Sequence, residues 1–444
     1  MLTLHYGKGT ILSGNIRVPH SSWDPAAKSY RCLAIHYPEI TRYLRESGIR
    51  FQDSVMDPLP HPDFRTEIIP KSYQLEALDA WLEAGMRGVV VLPTGSGKTV
   101  LGLLAIQEAN CPSMVVVPTI DLMDQWRTRL SEAFRSEVGA YGGGEADLRP
   151  LTVATYDTAY LRAEELGNRF PLIIFDEVHH LASPGYSQIA ELYASPYRMG
   201  LTATYEREDG LHSRLPDLVG PKVYEKRVSD MAGIHLANFR IERIHVDLPC
   251  DEAEEYARAM GVYRGFLRSR GLRMRSPEDF RRLVMMSGRD PEAREAMLSR
   301  MKAMEIALNS NSKINALREI LEKNRGERTL IFTHHNSLVY EISKAFLIPA
   351  ITHETPKEER ARILRKFREG AYSTIVTSRV LDEGIDVPEA SLGIILSGTG
   401  SKREFVQRLG RLLRKSGDKE ARLIEVVSRL TDESRISSRR RRGV

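Results

Sequence analysis

Short, mostly apolar runs recur in this chain in two separate blocks, continuous rather than alternating in the first. The first block holds Val89-Val-Val-Leu92, Met114-Val-Val-Val117, Leu151-Thr-Val153, Leu172-Ile-Ile-Phe175 and Met199-Gly-Leu201. The second holds Thr329-Leu-Ile-Phe332, Ser373-Thr-Ile-Val376, Gly393-Ile-Ile-Leu396 and Leu423-Ile-Glu-Val426. A strand wetted on one face alternates apolar and polar residues. An unbroken apolar run needs cover on both faces, which a parallel sheet between helical layers supplies. The pattern therefore predicts an α/β chain with two such sheets. Helical stretches separate the runs, for example Ser72 to Ala84, with Leu75, Leu78 and Leu82 expected on its core face. Ile241 to Val246 alternates apolar and charged residues and reads as an outlying strand of the second sheet.

The remaining segments have different patterns. Leu2, Leu4 and Tyr6 alternate, Gly7-Lys8-Gly9 is a turn, and Ile11 and Leu12 follow, so a hairpin is expected. Pro38 to Glu46 reads as a helix with Gly48 beyond its end. Trp23, Tyr30 and Tyr37 are expected in the core of this small α+β unit. Asp57-Pro-Leu-Pro-His-Pro-Asp63 is stiff and donor-poor, as in a linker. Residues 251–308 contain no strand-like run; they are charged, Met-rich and helical in character. The expected divisions are a small N-terminal domain (1–62), a first α/β domain (63–235), the first strand of a second (236–250), a helical insertion (251–308), the rest of the second α/β domain (309–436) and a basic tail (437–444).

Composition narrows the functions. With 42% hydrophobic and 28% charged residues over 444 positions, the chain can bury a core. Its net charge of +5 allows a nucleic-acid partner without arguing for one. Cys32, Cys111 and Cys250 are isolated, which disfavours zinc sites and disulfides. No run approaches the ~18 apolar residues of a membrane span, and the N-terminus lacks a signal-peptide layout. A soluble, cytoplasmic protein away from membranes is expected.

Chemistry enters with Pro93-Thr94-Gly95-Ser96-Gly97-Lys98-Thr99, after one apolar run and before an apolar helix. Glycines let backbone N–H groups close around phosphate oxygens, and a helix N-terminus favours the anion. Lys98 would reach the β/γ-phosphates of ATP and the Thr99 hydroxyl would ligate Mg²⁺. The position usually held by glycine before this core is Leu92. A second run ends in Asp176-Glu177-Val178-His179. There Asp176 would hold Mg²⁺ and Glu177 would orient and deprotonate the attacking water. His179 would couple the site to a partner domain, and His180 is expected to pack.

These motifs, in this order, resemble those of superfamily 2 helicases. The resemblance implies two RecA-like motor domains with ATP between them. It implies that Gln74 contacts adenine, and that Thr119 and Thr155 meet the nucleic-acid backbone. Thr202-Ala203-Thr204 would link hydrolysis to movement. In the second block, Thr377 would touch nucleic acid, and Gly384 and Asp386 would serve the nucleotide. The run Gln407-Arg-Leu-Gly-Arg-Leu-Leu-Arg414 would supply Gln407 and the finger residues Arg411 and Arg414.

Arg207-Glu208-Asp209 resembles the R-E-D motif of the xeroderma pigmentosum group B helicases, where it is associated with DNA unwinding. The order of segments is similar to the short archaeal form of that family, with a damage-recognition-like N-terminal domain and a thumb-like insertion. The family implies a 3′-to-5′ ATP-dependent DNA helicase of nucleotide excision repair. The alternative is a duplex translocase that remodels protein–DNA complexes or feeds a nuclease partner. The insertion also carries eight arginines between 258 and 282 against only Glu278 and Asp279. Arg270, Arg273 and Arg275 are expected to grip phosphates of single-stranded or duplex DNA, with Tyr263 and Phe266 stacking on bases.

Overall fold

A computed structural model describes residues 2–207, 209–231, 239–378, 390–397 and 421–441. The chain divides into two compact units, 1–226 and 227–444.

The first unit opens with β1 (Leu2–Gly7), β2 (Thr10–Leu12), β3 (Ser22–Asp24), β4 (Ser29–Leu33), α1 (Tyr37–Glu46) and β5 (Phe51–Ser54). The expected hairpin forms: β1 pairs antiparallel with β2 around Lys8 and Gly9, both at positive φ. The sheet order is β3-β4-β2-β1-β5. Leu4, Ile11, Ile40 and Leu44 bury its core. One expectation fails here. Trp23 is 47% exposed, because β3 is a three-residue edge strand that offers nothing to cover the indole beyond Tyr30 across the pair. This small domain is fastened to the next one. Tyr6 Oη donates to the carbonyls of Ala163 and Leu192, and Asn168 Nδ2 to that of Val55.

The next part runs α2 (Ser72–Glu83), β6 (Arg87–Val91), α3 (Lys98–Ala109), β7 (Ser113–Val117), α4 (Ile120–Phe134), β8 (Gly139–Gly142), β9 (Glu145–Ala146), β10 (Leu151–Thr155), α5 (Tyr156–Leu161), α6 (Ala163–Leu166), β11 (Leu172–Asp176), α7 (Ser187–Leu192), β12 (Tyr197–Thr202), α8 (Leu215–Leu218) and β13 (Lys222–Glu225). Its sheet order is β13-β6-β12-β11-β7-β10-β8-β9, parallel except for β9. Strands β7, β10 and β11 are buried at every residue, as double cover requires. The buried face of α2 differs from the expected leucine stripe. It carries Tyr73, Gln74, Ala77, Leu78 and Trp81, while Leu75 is 44% exposed. The aromatic residues, larger than leucine, win the core position, and the Trp81 indole donates to the Arg198 carbonyl at 2.9 Å.

The second unit contains α9 (Val228–Met231), β14 (Phe239–Val246), α10 (Cys250–Ser269), α11 (Pro277–Ser287), α12 (Pro291–Leu308), α13 (Asn311–Lys323), β15 (Thr329–Phe332), α14 (Asn336–Phe346), β16 (Ala350–Ile351), α15 (Lys357–Arg368), β17 (Thr374–Thr377), β18 (Leu392–Ile395), β19 (Ala421–Ser428) and α16 (Glu433–Arg441). The sheet order is β14-β19-β18-β15-β17-β16, all parallel. The alternating Ile241–Val246 run sits at the edge of this sheet, where one side meets water. Helices α10, α11 and α12 form their own core of Tyr256, Met260, Tyr263, Phe266, Leu283 and small alanines. Lys313 and Glu433 pair at 2.7 Å, fully buried, and Lys313 Nζ also donates to the Leu396 carbonyl. Among the described residues, no helix is long and apolar enough to cross a membrane.

Candidate active site

Strands β6, β12 and β11 are neighbours, and their carboxyl ends carry the chemistry. Such edges of open α/β sheets are where ligands bind. Leu92 N–H donates to the Thr202 carbonyl, so the loop after β6 starts from a fixed point. Leu92 is fully buried there, a core position that accepts leucine where glycine is usual. The loop then turns through Gly95 and Gly97, at φ 83° and 84°. Only glycine adopts such angles without strain. An added Cβ at Gly97 would also lie 2.7 Å from Gln74 Nε2.

Gln74 is held within the protein. Its Oε1 accepts from Lys71 N–H at 2.9 Å, and Nε2 donates to the carbonyls of Ser96 and Gly97, both at 3.3 Å. Tyr73 Oη also donates to the Ser96 carbonyl. The pair on α2 thus braces the loop from behind. Ser96 Oγ closes the turn on the Pro93 carbonyl at 2.7 Å. Thr94 Oγ1 is buried without a hydrogen-bond partner among the described residues. Such a group costs free energy unless something else satisfies it, which fits a loop built to receive phosphate oxygens.

Lys98 opens α3, and its Nζ lies 3.9 Å from Glu177 Oε1 and 3.4 Å from the Leu92 carbonyl. Glu177 has φ 48°, a strained angle for a residue with a side chain. Its Oε2 is buried without a hydrogen-bond partner among the described residues, with His179 Nδ1 3.5 Å away. Asp176 is 7% exposed. Its Oδ1 accepts the Glu177 N–H at 3.0 Å, and its Oδ2 accepts the Trp126 indole N–H at 2.8 Å. Tyr156 Oη reaches the Asp176 carbonyl at 3.1 Å.

A chain of contacts leaves this point. His179 Nδ1 lies 3.2 Å from Thr202 Oγ1, which donates to the Thr204 carbonyl at 2.8 Å. Thr204 Oγ1 is buried without a hydrogen-bond partner among the described residues. Arg207 binds the His179 carbonyl with Nη1 and clasps both oxygens of Asp209, at 3.0 and 2.7 Å. The Arg207 hydrogen bond holds the Asp209 carboxyl low, at about 2. Arg207 is therefore spent inside the protein, tying its loop to the acidic strand end. His180 tilts against Tyr156, a packing role.

Other candidates take structural positions. Thr119 and Thr155 cap α4 and α5, each accepting a backbone N–H at 3.3 Å. Thr377 is fully buried and donates to the Ser378 carbonyl. Arg270 pairs with Asp290 and Glu292, at 3.2 and 3.0 Å. Tyr263 and Phe266 are 7% exposed and fill the core of the insertion, so they do not offer faces to bases. Their spacing along α10, with Tyr256 and Met260, is a helical core stripe. Arg273 and Arg275 are exposed. Glu208, Gly384, Asp386, Gln407, Arg411 and Arg414 lie outside the described residues. Sequence reasoning missed Tyr73 as a brace and Trp126 as a partner of Asp176; a tryptophan at helical spacing signals only burial.

The fold and this site define a nucleotide-dependent motor of the helicase class, and three family models match the chain. Residues 4–55 match the xeroderma pigmentosum group B helicase damage recognition domain. Residues 67–207 match the type III restriction enzyme res subunit, and 312–416 the helicase conserved C-terminal domain. The "DNA 3'-5' translocase XPB2" of Sulfurisphaera tokodaii is 48% identical over 99% of this chain and 100% of its own length. The "DNA 3'-5' helicase XPB" of Kineococcus radiotolerans is 33% identical, over 84% of this chain and 62% of that protein. The Hef helicase domain of Pyrococcus furiosus has the same fold, with a TM-score of 0.54 at 20% identity over 83% of this chain and 97% of that one. The chain belongs to the xeroderma pigmentosum group B family of superfamily 2 helicases.

Proposed function

We propose that this protein is an ATP-dependent DNA motor that moves 3′ to 5′ and unwinds DNA during nucleotide excision repair. The approach of Lys98 to Glu177 across the ends of β6 and β11, 3.9 Å apart and both nearly buried, carries this reading. A cation and a carboxylate beside a glycine loop are what phosphoanhydride hydrolysis needs. When bound, Mg²⁺·ATP supplies the bond to be broken and the charge that the metal offsets. The loop N–H groups and Lys98 bind the phosphates, and Thr99 and Asp176 would hold the metal. Glu177, whose Oε2 lacks a hydrogen bond among the described residues, would take the proton of the attacking water. His179, Thr202, Thr204 and Arg207 carry the change of state at Glu177 into the Arg207–Asp209 loop.

The domain divisions at 62, 235, 250, 308 and 436 belong to this reading, as do adenine recognition at Gln74, the roles of Gly384 and Asp386, and those of Gln407, Arg411 and Arg414. A cytoplasmic location suits it. A second reading is translocation on duplex DNA without strand separation, with a nuclease as a candidate partner. The name of the Sulfurisphaera tokodaii relative, a translocase, favours it. ATP hydrolysis measured with no nucleic acid, single-stranded DNA, duplex DNA and RNA tests the motor. Stimulation by RNA alone, or by nothing, would refute it. Strand displacement beside triplex displacement separates unwinding from translocation.

A further inference from the structure

Asp176 is held by aromatic donors from two different helices. The Trp126 indole, on α4, donates to the carboxylate at 2.8 Å. The Tyr156 hydroxyl, the first residue of α5, donates to the backbone carbonyl at 3.1 Å. Both side chains are fully buried. The indole is also wedged against α3, since a Cβ added at Gly102 would lie 2.6 Å from Trp126 Cη2. Its ring therefore has little freedom, and neither does the carboxylate it holds. An ionised carboxylate offers about four lone-pair positions. Trp126 and the Glu177 N–H take two of them, one on each oxygen. An indole N–H is a donor only, so Trp126 can meet Asp176 in one sense alone, by donating to the carboxylate.

The geometry points to Trp126 as a positioning residue for the magnesium ligand: its N–H fixes the Asp176 carboxylate in the orientation that receives the metal. Tyr156 supports it by fixing the strand end. This rests on the reading of Asp176 as the metal-holding residue. Partners that orient a metal ligand typically contribute about 10- to 100-fold in metal affinity. The arrangement also joins the metal position to α4 and α5, the helices capped by Thr119 and Thr155.

The test measures how much Mg²⁺ tightens binding of a fluorescent ADP analogue to the full chain, against the same titration in chelator. Trp126→Phe keeps a ring against Gly102 and removes the N–H. Its magnesium-dependent gain should fall about tenfold or more, with affinity in chelator unchanged. Tyr156→Phe should lose less. Asp176→Asn must lose the gain; if it does not, the reading of Asp176 fails, whatever Trp126 does. If Asp176→Asn loses the gain and Trp126→Phe keeps it, the Trp126 proposal is overturned. An equal loss in chelator would assign the effect to ring packing and overturn it too. Should Trp126→Phe not fold, ¹⁵N-indole spectra of the wild-type protein decide. The Trp126 resonance, assigned with Trp23→Phe and Trp81→Phe, should move with Mg²⁺·ADP and not with ADP in chelator; a resonance that stays still counts against the proposal.

Discussion

The nucleotide site and the helical insertion are both rich in charge, and they hold it in opposite ways. At the site, Lys98, Asp176 and Glu177 are nearly buried and each faces named partners within 4 Å. In the insertion, Arg273 and Arg275 are exposed around a core of aromatic and alanine side chains. Buried charge is costly unless paired, so its geometry is strict and each group has one task. Exposed charge is cheap and screened, so many arrangements serve equally well. The lesson is that charge density alone does not mark a working surface; burial and partners separate chemistry from grip.

Substitutions can break this contrast. The largest effects belong to the site. Glu177→Gln should cut ATP turnover by roughly 10²- to 10⁴-fold while leaving nucleotide binding intact. Lys98→Ala should abolish turnover and weaken binding as well. Steady-state hydrolysis with DNA, beside equilibrium nucleotide binding, checks both; DNA-stimulated turnover near the wild-type rate in either variant would dissolve the contrast. Next comes the core of the insertion. Phe266→Ala should destabilise the helical insertion by about 3–5 kcal/mol, read as lost protection of amides in α10 and α12 by hydrogen exchange. An intact insertion with weakened DNA binding would instead return Phe266 to the surface role that its burial argues against.

The parts readable in the sequence are those where one residue class has one structural meaning. Four apolar residues in a row require double cover, and β7 and β11 follow. Gly95, Gly97, Lys98, Asp176 and Glu177 were visible because their chemistry sits in short contiguous motifs. Strand β8, Gly139-Ala-Tyr-Gly142, was not visible, because glycines dilute its pattern. The edge strand β13, Lys222-Val-Tyr-Glu225, is too short to show one. Trp126 was hidden for another reason. Its apolar ring explains its burial completely, and only tertiary structure shows where its one polar atom goes. Thr119 and Thr155 were open to two readings, since a threonine before a helix is also a cap. The exposed Trp23 follows from an edge strand too short to read.

Smaller effects sharpen the comparison on the side of the insertion. The double variant Arg273→Ala, Arg275→Ala should lower the slope of log affinity for DNA against log salt by about 2, near 0.9 for each phosphate contact on duplex DNA. Its melting temperature should stay unchanged, because both side chains are exposed and neither is paired among the described residues. Arg270→Ala, which breaks exposed pairs with Asp290 and Glu292, should cost less than about 1 kcal/mol and leave the salt slope alone. A slope change for Arg270 and none for the other two would reverse the assignment of grip.

The smallest effect lies where the two regimes meet, at the partly exposed Arg207–Asp209 pair. The Arg207 hydrogen bond depresses the Asp209 carboxyl to about 2 in the folded chain, against about 4 when unfolded. A depressed carboxyl contributes stability above its unfolded value, and that contribution fades as pH falls through the folded one. Wild type and Asp209→Asn should therefore differ by a constant small amount in melting temperature above about pH 4. The difference should shrink steadily from there toward about pH 2. Because the Asp209 side chain is 38% exposed, salt should shrink it too. A difference that ignores both pH and salt would mean that Asp209 acts through its loop geometry, which includes its bond to the Leu211 N–H, and that the pair belongs with the buried, single-task charges of the site.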